Sequence, residues 1–242
     1  MLYLKTKLRQ LKWRWRNRRN GASSKLAGNA DIFSRIYAQN EWGKTMNQKG
    51  ESRFFSGSGS HDTQVVSNYV KAIRDWSLGF ETRLSALDVG CGDFNIGSAL
   101  LPYFGHYTAA DVVQELIEHN KEKWRDAAVD FRQLDIANDA LPYADVVLVR
   151  EVFQHLSNDD IRKALKNIKN SCKYLILTES RPGAGRFIAN LDKPTGVGTR
   201  SQFGSGVDVL QPPFSLACKS ADLLLRQPRG DRRLDTIVYE MP

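Results

Sequence analysis

The sequence is poor in cysteine: Cys91, Cys172 and Cys218 are the only three in 242 residues. Their number is odd, they lie far apart and no CxxC spacing occurs, which argues against a disulfide framework and against a structural zinc site. Such cysteine usage is typical of a reducing compartment. We therefore predict a cytoplasmic location and assign no metal ligands; a divalent metal held by aspartate or glutamate is left open, because such ligands have no characteristic spacing.

Long hydrophobic runs are also missing, since no apolar stretch approaches the roughly 20 residues that a membrane-spanning helix needs. Acidic side chains are absent from the first 30 residues, which carry nine of the 35 lysines and arginines. The other 212 residues hold 26 basic and 27 acidic side chains. Nucleic acid is not an expected partner, because a surface that binds it needs a basic face on the folded part of the chain.

The basic surplus is concentrated in residues 1–20, where Leu4, Leu8, Leu11 and Trp15 form a narrow apolar stripe at helical spacing. This pattern predicts a basic amphipathic N-terminal helix. Its cations and tryptophans favour peripheral contact with an anionic membrane, at the inner face of the membrane for a cytoplasmic protein. A solvated tail and a targeting presequence are the alternative interpretations.

Strand-like and helix-like segments alternate through the middle of the chain. The segments that predict strands are "LSALDVG", "YTAADV", "VDFRQLD", "ADVVLVR" and "KYLILTES". Two further apolar runs joined by "PRGD" predict a closing antiparallel hairpin. The alternation predicts an α/β fold with a doubly wound, mostly parallel seven-stranded sheet that is covered by helices on both faces.

The predicted organisation is a short extension followed by one domain. Residues 1–30 form the basic extension and a linker, and residues 31–242 form the domain. Within it we expect three parts: an N-terminal cap at 31–80, a cofactor-binding core at 81–180, and a substrate loop with the closing hairpin at 181–242.

The turn after the first strand, "LDVGCGDFNIG", lacks the third glycine of the dinucleotide-binding GxGxxG motif and has Asn95 in that place. Asp88 and Asp93 flank its first two glycines. Two carboxylates beside a diphosphate would be repulsive, whereas a positively charged ligand would be stabilised by them. The turn therefore favours a cationic adenosyl donor over NAD.

Two further acids follow the next two strands. Asp111 ends the second strand 21 residues beyond Gly90, where an acid can accept hydrogen bonds from the ribose hydroxyls. Asp135 follows the third strand and is placed to accept a hydrogen bond from the adenine amino group, with Ile136 beside the ring. Ligands bind at the carboxyl ends of the strands in such sheets, so these acids are expected to lie together.

In these residues the sequence resembles the class I S-adenosylmethionine-dependent methyltransferases. "ALDVGCGDFNIG" is similar to the family's first motif, and "LDIANDALPYADVVLVREVFQHLS" is similar to its third-to-fourth-strand region. The resemblance covers residues 85–180 and implies a Rossmann-like fold with S-adenosyl-L-methionine as cofactor. The predicted cofactor-binding residues are Asp88, Gly90, Cys91, Gly92, Asp93, Asp111, Val112, Asp135, Ile136 and Arg150.

The flanking motifs "NEWG", "SGSGS" and "GTRSQFGSGVDVLQPPF" are similar to those of bacterial methyltransferases of capsular and lipopolysaccharide glycan assembly. That group implies a glycan or another small polar acceptor. The chain departs from the group's pattern with "REVFQHLS" in place of "RDxLVHLS" and with "LDVGCG" in place of "LDAPCG".

Candidate residues for catalysis and acceptor binding lie outside the glycine-rich turn. Glu151 and His155 flank the end of the fourth strand, where an imidazole is a natural general base for a hydroxyl acceptor. The alternatives are that His155 shapes the cofactor pocket and that Glu151 fixes Arg150 or a backbone amide. The residues predicted to contact the acceptor are Trp42, Ser58, Arg200 and Gln202.

The sequence thus predicts methyl transfer from S-adenosylmethionine to an oxygen of a sugar or another small polar acceptor in glycan biosynthesis. A non-catalytic, cofactor-binding subunit of a membrane-associated glycan assembly complex is the alternative. An NAD-dependent oxidoreductase is disfavoured by the acids and by Asn95 in the glycine-rich turn.

Overall fold

The computed structural model describes most of the chain, namely residues 28–43, 46–47, 50–51, 54–184 and 187–242. The basic helix and membrane contact predicted for residues 1–20 lie outside these ranges. Within them, no helix is both long and apolar enough to cross a bilayer.

A seven-stranded sheet forms the centre of the molecule. Its strands are β1 (Ser85–Val89), β2 (His106–Asp111), β3 (Asp130–Gln133), β4 (Ala144–Arg150), β5 (Cys172–Pro182), β6 (Ser220–Arg229) and β7 (Arg232–Glu240). They are ordered β6-β7-β5-β4-β1-β2-β3, and β7 runs antiparallel to both of its neighbours. The predicted doubly wound, mostly parallel sheet with a closing hairpin is confirmed.

In the part of the chain that the structure describes, five α-helices connect and cover the strands. They are α1 (Asn29–Ala38), α2 (Thr63–Ser77), α3 (Asn95–Leu100), α4 (Gln114–Lys123) and α5 (Asn158–Lys169). Helix α2 begins at Thr63, because the Asp62 carboxylate accepts hydrogen bonds from the backbone N–H groups of Gln64 and Val65. Short 3₁₀ turns, among them Ser58–Ser60 and Phe153–His155, fill the loops beside the sheet.

The central strands are apolar because both of their faces are buried. In β4, Val147 and Val149 pack into one hydrophobic cluster with α1 and α5, while Val146 and Leu148 pack into a second cluster with α2 and α3. A strand covered on both sides loses the polar–apolar alternation of a half-exposed strand. This explains the near-continuous apolar run of "ADVVLVR".

Candidate active site

A cavity of about 380 Å³ opens at the carboxyl ends of β1, β2 and β4, and this volume is in the range of small-molecule sites. All ten residues predicted to bind the cofactor line it. Trp42, Ser58, Glu151 and His155 line it as well. Topology brings these segments together, because parallel strands end at the same edge of the sheet.

Two glycines shape the β1–α3 turn, residues 90–94, which forms the floor of the cavity. Gly90 and Gly92 have φ angles of 77° and 56°, in the left-handed region that L-residues avoid. A Cβ atom on Gly90 would lie 2.4 Å from Cγ2 of Val152, and one on Gly92 would lie 2.2 Å from Oγ of Ser56. The turn therefore needs glycine both for its backbone conformation and for the close approach of its neighbours.

Asp111 lies at the end of β2, and its carboxylate oxygens accept backbone N–H bonds from Val113 at 3.1 Å and from Gly92 at 3.2 Å. Burial raises its pKa to about 6, and these backbone hydrogen bonds oppose the rise. Each oxygen keeps a second lone pair, because a carboxylate has about four acceptor sites. Asp111 can therefore hold the turn and still accept hydrogen bonds from a ligand.

The two acids of the glycine-rich turn are occupied by protein groups. Asp88 accepts a hydrogen bond from the Tyr107 hydroxyl at 3.0 Å, and burial raises its pKa to about 7. His61 contacts the Asp93 carboxylate at 2.6 Å, and the Ser56 N–H donates to the same oxygen. Both acids line the cavity, but Asp93 also ties the segment 56–61 to the turn.

Asp135 and Ile136 form the end of the cavity that follows β3. Asn29, at the start of α1, donates its side-chain amide to Asp135 Oδ1 at 3.2 Å, and the Ala137 N–H donates to the same oxygen at 2.9 Å. The second oxygen accepts from the Asn138 amide at 2.8 Å. Asp135 is thus fixed in place beside an apolar wall that Ile136 and Leu134 contribute.

The residues that line the cavity fit an adenosyl group. The cradle at Gly90 and Gly92 admits a ligand against bare backbone, and Asp111 can accept from ribose hydroxyls. Asp135 keeps acceptor capacity for an adenine amino group. The acids beside the turn suit a sulfonium rather than a diphosphate.

The segment Ser56–His61 covers one side of the cavity. Ser56 Oγ accepts the Asp93 N–H at 2.7 Å, and the Gly59 carbonyl accepts from the Arg150 guanidinium at 3.0 Å. The Arg150 guanidinium also lies 5.3 Å from the centre of the Tyr69 ring. The segment is therefore attached to both the β1–α3 turn and the end of β4.

Glu151 begins the β4–α5 loop, residues 151–157, with a φ angle of 55°. Its carboxylate lies 3.1 Å from Arg229 and 3.4 Å from Arg150. Two guanidinium groups contact this carboxylate, so Glu151 is an ion-pair partner here rather than a free base. This matches the alternative interpretation, that Glu151 fixes Arg150.

His155 lies in the same loop, with its ring centre 5.4 Å from that of Trp42. Its Nδ1 is 3.3 Å from the Gly196 carbonyl oxygen, which places the hydrogen on Nδ1 and the lone pair on Nε2. Burial, reinforced by the Lys193 ammonium, lowers its pKa to about 4. The imidazole is therefore neutral at pH 7.

Three buried ionisable side chains form hydrogen bonds with the backbone of the β4–α5 loop. Arg200 donates five hydrogen bonds of 2.7–3.3 Å, whose acceptors are the carbonyl oxygens of Phe153, Gln154, Leu156 and Leu191 and the side-chain oxygen of Asn158. Lys193 donates to the His155 carbonyl at 2.8 Å, and Glu179 accepts the N–H groups of Phe153 and Gln154.

The prediction that Arg200 contacts the acceptor is therefore wrong. Arg200 is 1% exposed, its guanidinium is fully engaged with protein oxygens, and it does not line the cavity. Gln202 does not line it either, since its amide donates to the Thr199 carbonyl on the surface. Arg200 instead fixes the loop that carries His155.

Several residues at or beside the cavity are not predicted from the sequence. His61 does not line the cavity, but it pairs with Asp93, which does. Arg229 and Arg232 line the cavity from the turn between β6 and β7. A signal for the arginines was present, because a hairpin whose second strand runs antiparallel to β5 must place its turn at the carboxyl edge.

Comparison with known proteins agrees with this geometry. Residues 87–174 match the family described as a methyltransferase domain. No curated protein matches the chain in sequence.

Solved structures share the fold at low sequence identity. The chain is similar to the N-methyltransferase NodS from Bradyrhizobium japonicum WM9, crystallised with S-adenosyl-L-homocysteine, with a TM-score of 0.61 and 15% identity over 89% of this chain and 100% of that one. The N-terminal domain of EvdMO1, in the presence of S-adenosylhomocysteine and D-fucose, has a TM-score of 0.54 and 14% identity over 90% and 100%. The methyltransferase domain of bacterial CtHen1 has a TM-score of 0.52 and 18% identity over 74% and 99%. The seven-stranded sheet is thus the Rossmann-like fold of the class I methyltransferases, with a methyltransferase domain match from β1 into β5.

Proposed function

We propose that this protein is an S-adenosylmethionine-dependent methyltransferase that methylates an oxygen of a sugar or another small polar acceptor in glycan biosynthesis. One observation carries the proposal: a single cavity at the carboxyl edge of a methyltransferase fold gathers the glycine cradle, Asp111, Asp135 and His155. The neighbour in complex with S-adenosylhomocysteine supports the same donor, and the neighbour crystallised in the presence of D-fucose supports a sugar acceptor.

Different residues would bind different parts of the donor. The Asp111 carboxylate would accept hydrogen bonds from the ribose, and the adenine would lie beside Asp135. S-adenosylmethionine supplies a methyl group on a sulfonium for in-line displacement. The protein's main contribution to the rate is to hold the acceptor oxygen in line with that methyl group.

The acceptor proton is received by His155 in this scheme. Its Nε2 carries the lone pair, because Nδ1 faces the Gly196 carbonyl oxygen. Since the pKa of His155 is about 4, the imidazole is unprotonated at neutral pH, yet it is a weak base. With the donor bound, the proton would therefore move to Nε2 as the bond between the acceptor oxygen and the methyl carbon forms, the oxygen becomes acidic and the methyl–sulfur bond breaks, with S-adenosylhomocysteine as the leaving group.

The test is methyl transfer from S-adenosylmethionine labelled with tritium in the methyl group, over a panel of neutral sugars, uronates, sugar phosphates and amino sugars. We expect a labelled product that is stable to acid and base, as an ether is, with Asp111→Ala as the inactive control. Binding of S-adenosylhomocysteine without product from any acceptor would contradict methyl transfer and favour a non-catalytic cofactor-binding subunit. Label found only on amino sugars would move the acceptor atom from oxygen to nitrogen.

A further inference from the structure

We propose that Arg232, with Arg229 beside it, forms a binding site for an anionic group on the acceptor, either a carboxylate or a phosphoryl group. This inference names the substrate class of the proposed methyl transfer. It rests on the proposed function, because the bound anion belongs to a methyl acceptor only if the protein transfers methyl groups. The binding site itself is argued from the charges that surround the hairpin turn.

The hairpin turn brings both arginines to the mouth of the cavity. Strand β6 ends at Arg229 and β7 begins at Arg232, which pairs with Pro182 at the carboxyl end of β5. Both side chains line the cavity on the side of β4 and β5, away from Asp111 and Asp135.

Three neighbouring arginines share one buried acid outside the cavity. Asp235 lies 2.7 Å from Arg226, 3.1 Å from Arg233 and 3.7 Å from Arg181. None of these three arginines lines the cavity. They satisfy Asp235 and are not available to a ligand.

Arg229 and Arg232 differ from this group. Arg229 shares Glu151 with Arg150, so two guanidinium groups face one carboxylate and a positive charge remains. Among the described residues, the acid within 4 Å of Arg232 is Asp231, at 3.9 Å, and its side chain is 98% exposed. A contact of that length to a solvated carboxylate is worth little, so Arg232 keeps its charge for another partner.

The charged side chains that line the cavity belong to different parts of the sheet. The four aspartates lie at or after strands β1, β2 and β3, whereas the three arginines and Glu151 lie at the end of β4 and at the β6–β7 turn; Glu41 lines the cavity as well. A guanidinium offers two parallel N–H donors that match a carboxylate or a phosphoryl group. Arg232 is one third exposed, so an anion bound there would be partly desolvated and bound more strongly than at an open surface.

The test uses the full chain saturated with S-adenosylhomocysteine, titrated calorimetrically with D-glucuronate, glucose 1-phosphate and glucose. We expect the better of the two anions to bind at least tenfold more tightly than glucose, and the comparison of the anions distinguishes a carboxylate from a phosphoryl source. Arg232→Gln should weaken anion binding about tenfold, Arg232→Lys should weaken it less, and the affinity for S-adenosylhomocysteine should stay unchanged. Arg226→Gln is the matched control, since it removes the same charge from the same hairpin outside the cavity.

Three results would overturn the proposal: glucose binding as tightly as the anions, neither anion binding, or equal anion affinity in Arg232→Gln and the native protein. Weaker S-adenosylhomocysteine binding in Arg232→Gln would also overturn it, because the arginine would then serve the donor. Failure of the proposed methyl transfer is recognised separately, by loss of S-adenosylhomocysteine binding or by the absence of labelled product.

Discussion

The β1–α3 turn and the β4–α5 loop border the same cavity, yet they keep their shapes by different means. The turn is held by its own residues, through glycines with positive φ and through Asp111 on the neighbouring strand. The β4–α5 loop is held by Glu179, Lys193 and Arg200, which follow it by 25 to 47 residues. The conformation of the turn depends mainly on its own glycines, whereas that of the β4–α5 loop depends on tertiary contacts with residues distant in sequence.

The difference shows how a cavity can combine a common donor site with a variable acceptor site. The turn faces the part of the cavity that fits an adenosyl group, and its backbone conformation depends mainly on its own glycines, with Asp111 and Ser56 hydrogen-bonded to it. The β4–α5 loop carries His155 and depends on the long segment after β5, where substitutions can reshape it without touching the turn. Changes that break one element should therefore leave the other intact.

The largest expected effect is on stability, in Arg200→Ala. The substitution removes the guanidinium donor of four carbonyl oxygens, of which that of Phe153 still accepts the Leu156 N–H, and should lower the free energy of unfolding by about 3–5 kcal/mol. Urea denaturation measures it, and Arg200→Lys should recover part of the loss. A loss below about 1 kcal/mol would mean that the loop is not held by Arg200.

Asp111→Ala tests whether the part of the cavity beside the β1–α3 turn binds the ribose of the donor. Removing a carboxylate that accepts from two ribose hydroxyls should cost about 3 kcal/mol of binding, roughly a 100-fold loss of affinity for S-adenosylhomocysteine. Calorimetry measures the affinity, and Asp130→Ala on the neighbouring exposed strand is the matched control. Equal affinities in the two variants would contradict the assignment of Asp111 to the ribose.

A smaller effect is expected for Gly92→Ala. The new Cβ would clash with Oγ of Ser56 at 2.2 Å and would place alanine at a φ of 56°. The protein should lose about 2 kcal/mol of stability and part of its donor affinity. Gly28→Ala is the control, because a Cβ there meets no atom within 4 Å. Equal unfolding free energies for the two variants would show that the turn tolerates a side chain.

The smallest effect is a pH dependence that arises from Asp88. Because burial raises its pKa to about 7, its contribution to stability is complete below the ordinary carboxyl pKa near 4 and is lost as the pH rises through about 7. Native protein should therefore lose about 1–2 kcal/mol of stability from this group between pH 5 and 7. Asp88→Asn should flatten that part of the urea-denaturation profile, since the Tyr107 hydroxyl can still donate to the amide oxygen. An unchanged profile in the variant would assign the dependence to other groups.

The sequence predicts the turn better than the loop for a physical reason. Glycines and acids in one short stretch, followed by an acid at the end of the next strand, report local geometry, and all ten predicted cofactor residues line the cavity. The pairs His61–Asp93 and Glu151–Arg229 are 32 and 78 residues apart, so no spacing reveals them.

Arg200 shows most clearly what could not be predicted from the sequence. An arginine in a segment rich in glycine and proline looks exposed, and only the folded chain shows the buried carbonyl oxygens that surround it. The fold class was predictable because alternating strands and helices are encoded locally, whereas the burial of a charge depends on partners from several elements.

The most direct test of the account is a calorimetric titration of the full chain with S-adenosylhomocysteine and, separately, with NAD. A cavity that is lined by four aspartates and by the backbone of Gly90 and Gly92 should bind S-adenosylhomocysteine and should not bind NAD. Binding of NAD without binding of S-adenosylhomocysteine would contradict the assignment of the cavity to an adenosyl methyl donor.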